Sequence, residues 1–175
     1  MELFWKKGFE GAHLRELVET TGLNRFSLYQ EFGGKDGLFQ ECIANYLDQA
    51  DEAYQRTLRR EPRGLDNIRA YFESIRFEGD YEGCFFINTL SEKHLITDTS
   101  YKLVKKFAAK VEKMFLENLE AAQEKGEIAP DRDAKALARF LTINDQGLAI
   151  YGIVAPRKLD LAPIMEMILG VAERN

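Results

Sequence analysis

Apolar residues recur at every third or fourth position along most of the chain, and proline occurs only four times. This spacing predicts helices throughout. The longest stripe covers positions 38 to 58 and indicates one long amphipathic helix that ends near Pro62. Another stripe covers positions 103 to 119. We expect its helix to end at Lys125 and Gly126, because a basic residue in the last turn followed by glycine is typical of a helix C-terminus. We therefore expect an all-α fold.

The remaining helices of the second half are shorter or more apolar. Positions 68 to 75 and 84 to 92 predict two short helices, separated by a segment with two glycines. Positions 131 to 155 and 159 to 173 predict the last two helices, and both are more apolar than one buried face requires. Small residues such as Gly147 allow close helix approach in this region. We expect these two helices to be buried against another subunit, the alternative being a central position in the monomer.

The first 39 residues have a different organisation, with three short helices. The apolar spacing predicts the first helix around Leu3 to Phe9 and the second around Leu14 to Val18. Gly22 follows where a tight turn between helices needs a residue that tolerates positive φ. Asn24 is well suited to cap the N-terminus of a third helix. This order predicts a helix-turn-helix, although periodicity alone leaves open a generic three-helix packing unit.

The third helix presents side chains suited to DNA. With Leu28 facing inward, a step of about 100° per residue places Phe26 and Gln30 on the outer face. Arginine can bind guanine bidentately, glutamine can bind adenine, and a phenyl ring can contact a thymine methyl group. The lysine that opens the next helix forms a phosphate site together with the free N–H groups and the dipole of that helix. The candidate DNA-binding residues are Asn24, Arg25, Phe26, Ser27, Tyr29, Gln30 and Lys35.

The first 39 residues contain, in this order, Lys7-Gly8-Phe9, Gly22, Leu28-Tyr29, Phe32 and Lys35-Asp36-Gly37-Leu38. This order closely resembles the DNA-binding head of the tetracycline-repressor (TetR) family. The resemblance implies a homodimeric one-component transcription regulator, usually a repressor, that binds double-stranded operator DNA and, through a helical body, a small-molecule effector. It also implies that the last two helices, at 131–155 and 159–173, pair with those of the second subunit. On this basis the head covers residues 1–45, and the body covers residues 46–175 as an antiparallel helical ligand-binding and dimerisation domain.

Two features of the head lower the expected affinity for DNA. Family heads carry a basic arm and most of a first helix before the position of Leu3, whereas this sequence starts inside that helix. Residues 1–45 contain five Lys or Arg residues and seven Asp or Glu residues, a net charge of −2. Because phosphate neutralisation supplies much of the affinity for DNA, we expect the chain to bind operator weakly without that arm. The alternative function is a helical dimer that binds a small molecule or a protein partner and does not read DNA.

Composition excludes several classes of protein. Of the 175 residues, 45% are hydrophobic and 30% are charged, which is too apolar for a disordered chain. No apolar run approaches the roughly 18 to 20 residues that span a bilayer, and the N-terminus does not resemble a secretory signal, so we expect a cytoplasmic protein without a membrane partner. Neither the two cysteines nor the two histidines have metal-ligand spacing, and no nucleophile-base pair or phosphate loop is visible. We expect no enzymatic activity, no cofactor and no metal site.

The body contains many aromatic residues, most of which we interpret as core. A largely apolar cavity needs a few polar groups to orient a ligand, and Arg76, Asn88 and Asn144 lie among apolar positions. The segment Asn144-Asp145-Gln146 is equally suited to the dimer seam, where a buried polar pair fixes the register of the helices. The aromatic content favours an apolar or aromatic ligand. The candidate ligand-binding residues are Phe72, Arg76, Phe86, Asn88, Phe107, Val111 and Asn144.

Overall fold

A computed structural model describes residues 1–77, 81–155 and 160–173 of the chain. In these ranges the backbone forms nine α-helices and no strand, which confirms the predicted all-α fold. The helices are α1 Glu2–Gly11, α2 Leu14–Thr21, α3 Arg25–Phe32, α4 Lys35–Leu58, α5 Leu65–Glu73, α6 Phe85–Ser91, α7 Asp98–Glu124, α8 Ala134–Tyr151 and α9 Ala162–Glu173.

Helix α8 is shorter than the predicted helix at 131–155. It begins at Ala134 because the Asp133 side chain accepts hydrogen bonds from two backbone N–H groups of the first turn, both at 3.0 Å. It ends at Tyr151, where the backbone bonds tighten to the i→i+3 pattern and the N–H of Ile153 donates to the carbonyl of Ile150 at 3.1 Å. The predicted start of the last helix at position 159 lies outside the described residues.

The chain divides into two compact units. The first unit comprises residues 1–49 and 82–107, and the second comprises the described residues of 50–81 and 108–175. Helices α4 and α7 each continue from one unit into the other. The head predicted at 1–45 therefore shares a unit with α6, which is distant in sequence. The division of function between head and body stays a prediction.

A cluster of aromatic rings holds the first unit together. Phe4 and Phe39 are fully buried, and their ring centres lie 4.9 Å apart in an edge-on arrangement. The ring of Phe85 in α6 lies 5.8 Å from that of Phe39, and the indole N–H of Trp5 donates to the carbonyl of Gly83 at 3.1 Å. Aromatic pairs of this kind add about 0.5–1.5 kcal/mol each beyond the burial of their surface. Helix α6 is therefore part of the support that holds α1 and the start of α4 in place.

A kink at Gly8 explains the glycine of the Lys-Gly-Phe motif. Gly8 has φ 69° and ψ 178°, a conformation that residues with a side chain rarely adopt. Directly after the kink, the backbone N–H of Phe9 donates to both carboxylate oxygens of Glu92, each at 3.1 Å. A Cβ atom on residue 8 would lie only 2.1 Å from one of these oxygens. Glycine at this position thus gives Glu92 access to the backbone of α1.

The second unit has an aromatic core and buried amides, among them that of Asn118. The rings of Phe72 and Phe115 are fully buried and stacked, with their centres 5.8 Å apart. The amide of Asn118 donates to the carbonyl of Leu58 at 2.7 Å, and its oxygen accepts from the N–H of Gly64 at 3.2 Å. Because buried polar groups need partners, Asn118 fixes the connection between α4 and α5 against α7.

Candidate nucleic-acid interface

The predicted turn between α2 and α3 has the expected geometry. Gly22 adopts the left-handed conformation, with φ 71° and ψ 0°, and its N–H donates to the carbonyl of Val18 at 3.0 Å. The side-chain oxygen of Asn24 accepts a hydrogen bond from the N–H of the half-buried Ser27 at 2.8 Å and so caps α3. Both local predictions are confirmed, and α2 and α3 form a helix-turn-helix.

Helix α3 has one buried and one exposed face, as the sequence predicts. Leu28 is completely buried, whereas Phe26 is 73% exposed and Tyr29 is 50% exposed. Arg25 and Gln30 are also exposed. We call the outer surface formed by Arg25, Phe26 and Gln30 the reading face. Its three side chains have the chemistry that major-groove recognition uses, and their contact with bases stays a prediction.

Tyr29 lies beside the reading face and links it to the next turn. The guanidinium carbon of Arg25 lies 5.8 Å from the centre of the Tyr29 ring, within range of a weak cation–π attraction. The ring also packs closely on Gly34, where an added Cβ atom would come within 2.9 Å of the ring carbon Cε1. Gly34 has φ 106°, which favours glycine as well. The ring of Tyr29 therefore lies against the turn that precedes α4.

Lys35 is placed at the N-terminus of α4, as predicted, but its ammonium group already has partners. Its Nζ donates to the backbone carbonyl of Glu10 at 3.2 Å and lies 4.6 Å from the centre of the Phe9 ring. A carbonyl leaves the positive charge of the ammonium in place. The predicted phosphate contact of Lys35 would therefore share its ammonium with α1.

Acidic side chains balance part of the positive charge on α1 and α2. Lys7 forms an ion pair with Glu16, and Arg15 forms one with Glu19 at 2.9 Å. Hydrogen bonding to Lys7 also holds the pKa of Glu16 below its usual value, which keeps this carboxylate charged. Two of the five basic residues of the head are thus paired with acidic ones, which limits the electrostatic attraction for phosphate.

Three of the candidate ligand-binding residues belong to the first unit. Phe86 and Phe107 are buried, and their ring centres lie 5.2 Å apart in an edge-on arrangement. The amide of Asn88 donates to the carbonyl of Glu82 at 3.1 Å. The structure thus brings the two rings together, while Asn88 closes the turn before α6.

The other four candidates belong to the second unit and have different surroundings. Phe72 and Val111 are buried in the core. Arg76 is exposed, and its guanidinium donates to the backbone carbonyl of Ile75 at 2.7 Å. The amide of Asn144 donates to the carbonyl of Phe140 one turn earlier at 2.8 Å. Both polar candidates bind backbone of their own segment, and the role of all seven residues in ligand binding stays a prediction.

A cluster that the sequence analysis missed lies in the second unit. Asp145 of α8 is buried, and its two carboxylate oxygens accept hydrogen bonds from the hydroxyl groups of Tyr71 at 2.6 Å and Tyr54 at 3.1 Å. The two tyrosine rings are stacked, with their centres 5.0 Å apart. We call these three residues the carboxylate cluster. Asp145 shares a helix face with the buried Leu141 and Leu148, and this i, i+4, i+7 spacing was the signal available in the sequence.

The carboxylate cluster has unusual acid–base properties. Burial raises the pKa of Asp145 to about 6, although the hydrogen bonds from Tyr71 and Tyr54 act in the opposite direction. Burial and the neighbouring Asp145 raise the pKa of Tyr71 well above its usual value. Tyr71 therefore remains a hydrogen-bond donor while Asp145 loses its proton in the range just below neutral pH.

Membrane-spanning helices and clusters of metal ligands are absent from the part of the chain that the structure describes. None of its helices combines the length and the apolar character needed to cross a membrane. No three His, Cys, Asp or Glu side chains among these residues come together as metal ligands would.

The chain matches known protein families at its N-terminal end and over most of the rest of its length. Residues 1–42 match the family model of bacterial regulatory proteins of the tetR family, and residues 63–151 match that of the tetracyclin repressor-like C-terminal domain. The HTH-type transcriptional repressor ComR of Escherichia coli (strain K12) is 32% identical over 155 residues, which are 86% of this chain and 74% of ComR. The uncharacterized HTH-type transcriptional regulator YezE of Bacillus subtilis (strain 168) is 28% identical over 146 residues, which are 81% of this chain and 75% of YezE.

A solved structure shares the fold over nearly the whole chain. It is that of the TetR family transcriptional regulator CifR, with cysteine substitutions, complexed with 26 bp double-strand operator DNA. The match has a TM-score of 0.80 and 27% sequence identity, and it covers 97% of this chain and 91% of CifR.

Proposed function

Because the chain belongs to the TetR family of bacterial regulatory proteins and is a DNA-binding transcriptional regulator, we propose that it is a homodimeric repressor released from operator DNA by a small molecule. The observation that carries the proposal is the reading face, which exposes an arginine, a phenylalanine and a glutamine on a capped helix of a helix-turn-helix. The repressor activity named for ComR and the operator DNA bound to CifR support it.

The dimer of this proposal forms through an exposed apolar face on α8 and the turn that follows it. Ile143, Ile150 and Val154 are 68%, 56% and 75% exposed, which is unusual for side chains of this size. Gly147 lies between the two isoleucines, and an added Cβ atom there would meet nothing within 4 Å. We call this surface, Ile143, Gly147, Ile150 and Val154, the α8 face. On α9, the apolar side chain of Met167 is 66% exposed as well.

A two-fold dimer accounts for the way in which such a protein binds DNA. Each subunit supplies one α3, and the two helices enter successive major grooves about 34–36 Å apart. A ligand changes this geometry only if it binds one arrangement of the heads more tightly than the other. In our proposal α4 transmits the change, because it begins directly after α3 and ends in the second unit.

The double substitution Arg25→Ala and Gln30→Ala tests the base-reading role. Each bidentate contact to a base contributes about 1–3 kcal/mol of discrimination. We therefore expect affinity for a preferred duplex, selected from a random DNA library by the unaltered protein, to fall about 30-fold or more. Affinity for a scrambled duplex should fall only about threefold, because one positive charge per subunit is lost. Fluorescence anisotropy at fixed salt measures both.

The matched control is Gln55→Ala with Arg56→Ala, which removes the same two residue types from exposed positions of α4. This variant should keep the preference for the selected duplex. Equal losses on the selected and the scrambled duplex in the α3 variant would contradict a base-reading role for Arg25 and Gln30.

A further inference from the structure

Phe26 is the reading-face residue that cannot form a hydrogen bond. Its side chain is 73% exposed, although it lies only two residues from the fully buried Leu28. The cap of α3 at Asn24 fixes the first turn of the helix, and with it the direction of Phe26. Arg25 and Gln30, its exposed neighbours on this face, are both polar. The phenyl ring is thus held at the centre of a surface that is otherwise built for hydrogen bonds.

The chemistry of the major groove limits what such a ring can recognise. Base edges present hydrogen-bond donors and acceptors, none of which a phenyl ring can pair. The apolar group that the groove offers is the methyl group on C5 of thymine. Burial of one methyl group is worth roughly a fourfold change in affinity. The same methyl group occurs on 5-methylcytosine, at the same ring position.

We propose that Phe26 reads the C5-methyl group of a pyrimidine in each half-site, so that 5-methylcytosine satisfies the contact as thymine does. This inference rests on the proposed function, because it needs α3 to lie in the major groove. It adds a form of regulation to that function. Where a half-site has cytosine at this position, methylation of C5 strengthens binding of the regulator.

The test combines changes in the DNA with changes in the protein. Each thymine of the selected duplex is replaced singly by uracil, which lacks only the methyl group. At the sensitive position, a cytosine·guanine pair is also compared with a 5-methylcytosine·guanine pair. Anisotropy titrations use the unaltered protein, Phe26→Ala, and the control Leu95→Ala, which shortens an apolar side chain that is 48% exposed outside α3.

The proposal predicts one sensitive thymine per half-site. Uracil at that position should lower the affinity of the unaltered protein and of Leu95→Ala for the duplex about fourfold. Both proteins should bind the 5-methylcytosine duplex about fourfold more tightly than the cytosine duplex. The affinity of Phe26→Ala should change by less than about 1.5-fold when either methyl group is removed, because the ring that contacts the methyl group is gone.

Three results would overturn the inference, and they differ in what else they imply. If every uracil duplex binds as tightly as the thymine duplex, or if Phe26→Ala responds to the methyl groups as strongly as the unaltered protein, only the role of Phe26 is wrong. If selection enriches no sequence at all, no preferred duplex exists, and the proposed function fails together with the inference.

Discussion

Replacement of both Ile143 and Ile150 by aspartate is expected to convert the dimer into monomers and to lower affinity for the selected duplex by about 100-fold or more. The two side chains lie two helical turns apart on the α8 face and are largely exposed in the single chain. In a dimer built on this face, four aspartates would come together without partners, which is strongly unfavourable. A monomer contacts only one half-site at a time and therefore loses the gain that comes from linking two contacts.

Sedimentation velocity and anisotropy measure the two parts of this prediction. Because Ile143 and Ile150 are exposed in the single chain, the helical content should stay unchanged in the variant. Leu95→Asp is the control, since it adds a charge at an exposed apolar position of the first unit. That control should remain dimeric. A stable dimer of the Ile143→Asp, Ile150→Asp variant would show that the subunits meet elsewhere.

Replacement of Asp145 by asparagine should change the dependence of stability on pH. The carboxyl group of Asp145 has a pKa near 3.8 in an unfolded chain and about 6 in the fold, so the folded state holds its proton more tightly. Stability of the unaltered protein therefore declines as pH rises from about 4 to about 6, and the loss persists above that range. Asparagine has no proton to lose. The unfolding free energy of Asp145→Asn, relative to the unaltered protein, should rise by about 2 kcal/mol between pH 4 and pH 8.

Urea denaturation at fixed protein concentration, repeated across this pH range, measures the difference. Asp131→Asn is the matched control, because it removes the carboxylate of an exposed aspartate in the turn before α8. The control should not reproduce the rise seen with Asp145→Asn. A difference between Asp145→Asn and the unaltered protein that stays constant from pH 4 to pH 8 would contradict the buried, proton-binding state of Asp145.

The parts of the fold that the sequence predicts correctly depend on near neighbours in the chain. Gly22 ends α2 because the turn needs positive φ, and Asn24 caps α3 through a group three residues away. The exposure of Phe26 and the burial of Leu28 follow from helical spacing alone. The helix-turn-helix was therefore predictable in detail, and the family resemblance extended the prediction to function.

The parts that the sequence does not predict depend on contacts between distant segments. Glu92 binds the backbone N–H of Phe9 across 83 residues, and no local pattern marks this pair. In the polar segment of α8, Asn144 is the residue we predict from the sequence to bind a ligand, whereas Asp145 is the residue that faces Tyr54 and Tyr71 from two other helices. Which residue of a polar segment is buried depends on the hydrogen-bond partners that other helices supply.

In our proposal α3 gives this protein a sequence preference in DNA, and a salt titration of DNA binding measures that preference. The selected and the scrambled duplex are titrated with the unaltered protein over a series of salt concentrations. For both duplexes we expect log K to fall linearly with log salt, with a shallow slope because the head carries few unpaired basic residues. At every salt concentration the selected duplex should bind at least about 1000-fold more tightly than the scrambled one. Equal affinity for the two duplexes throughout the series would contradict the claim and favour a helical dimer that binds a small molecule or a protein partner.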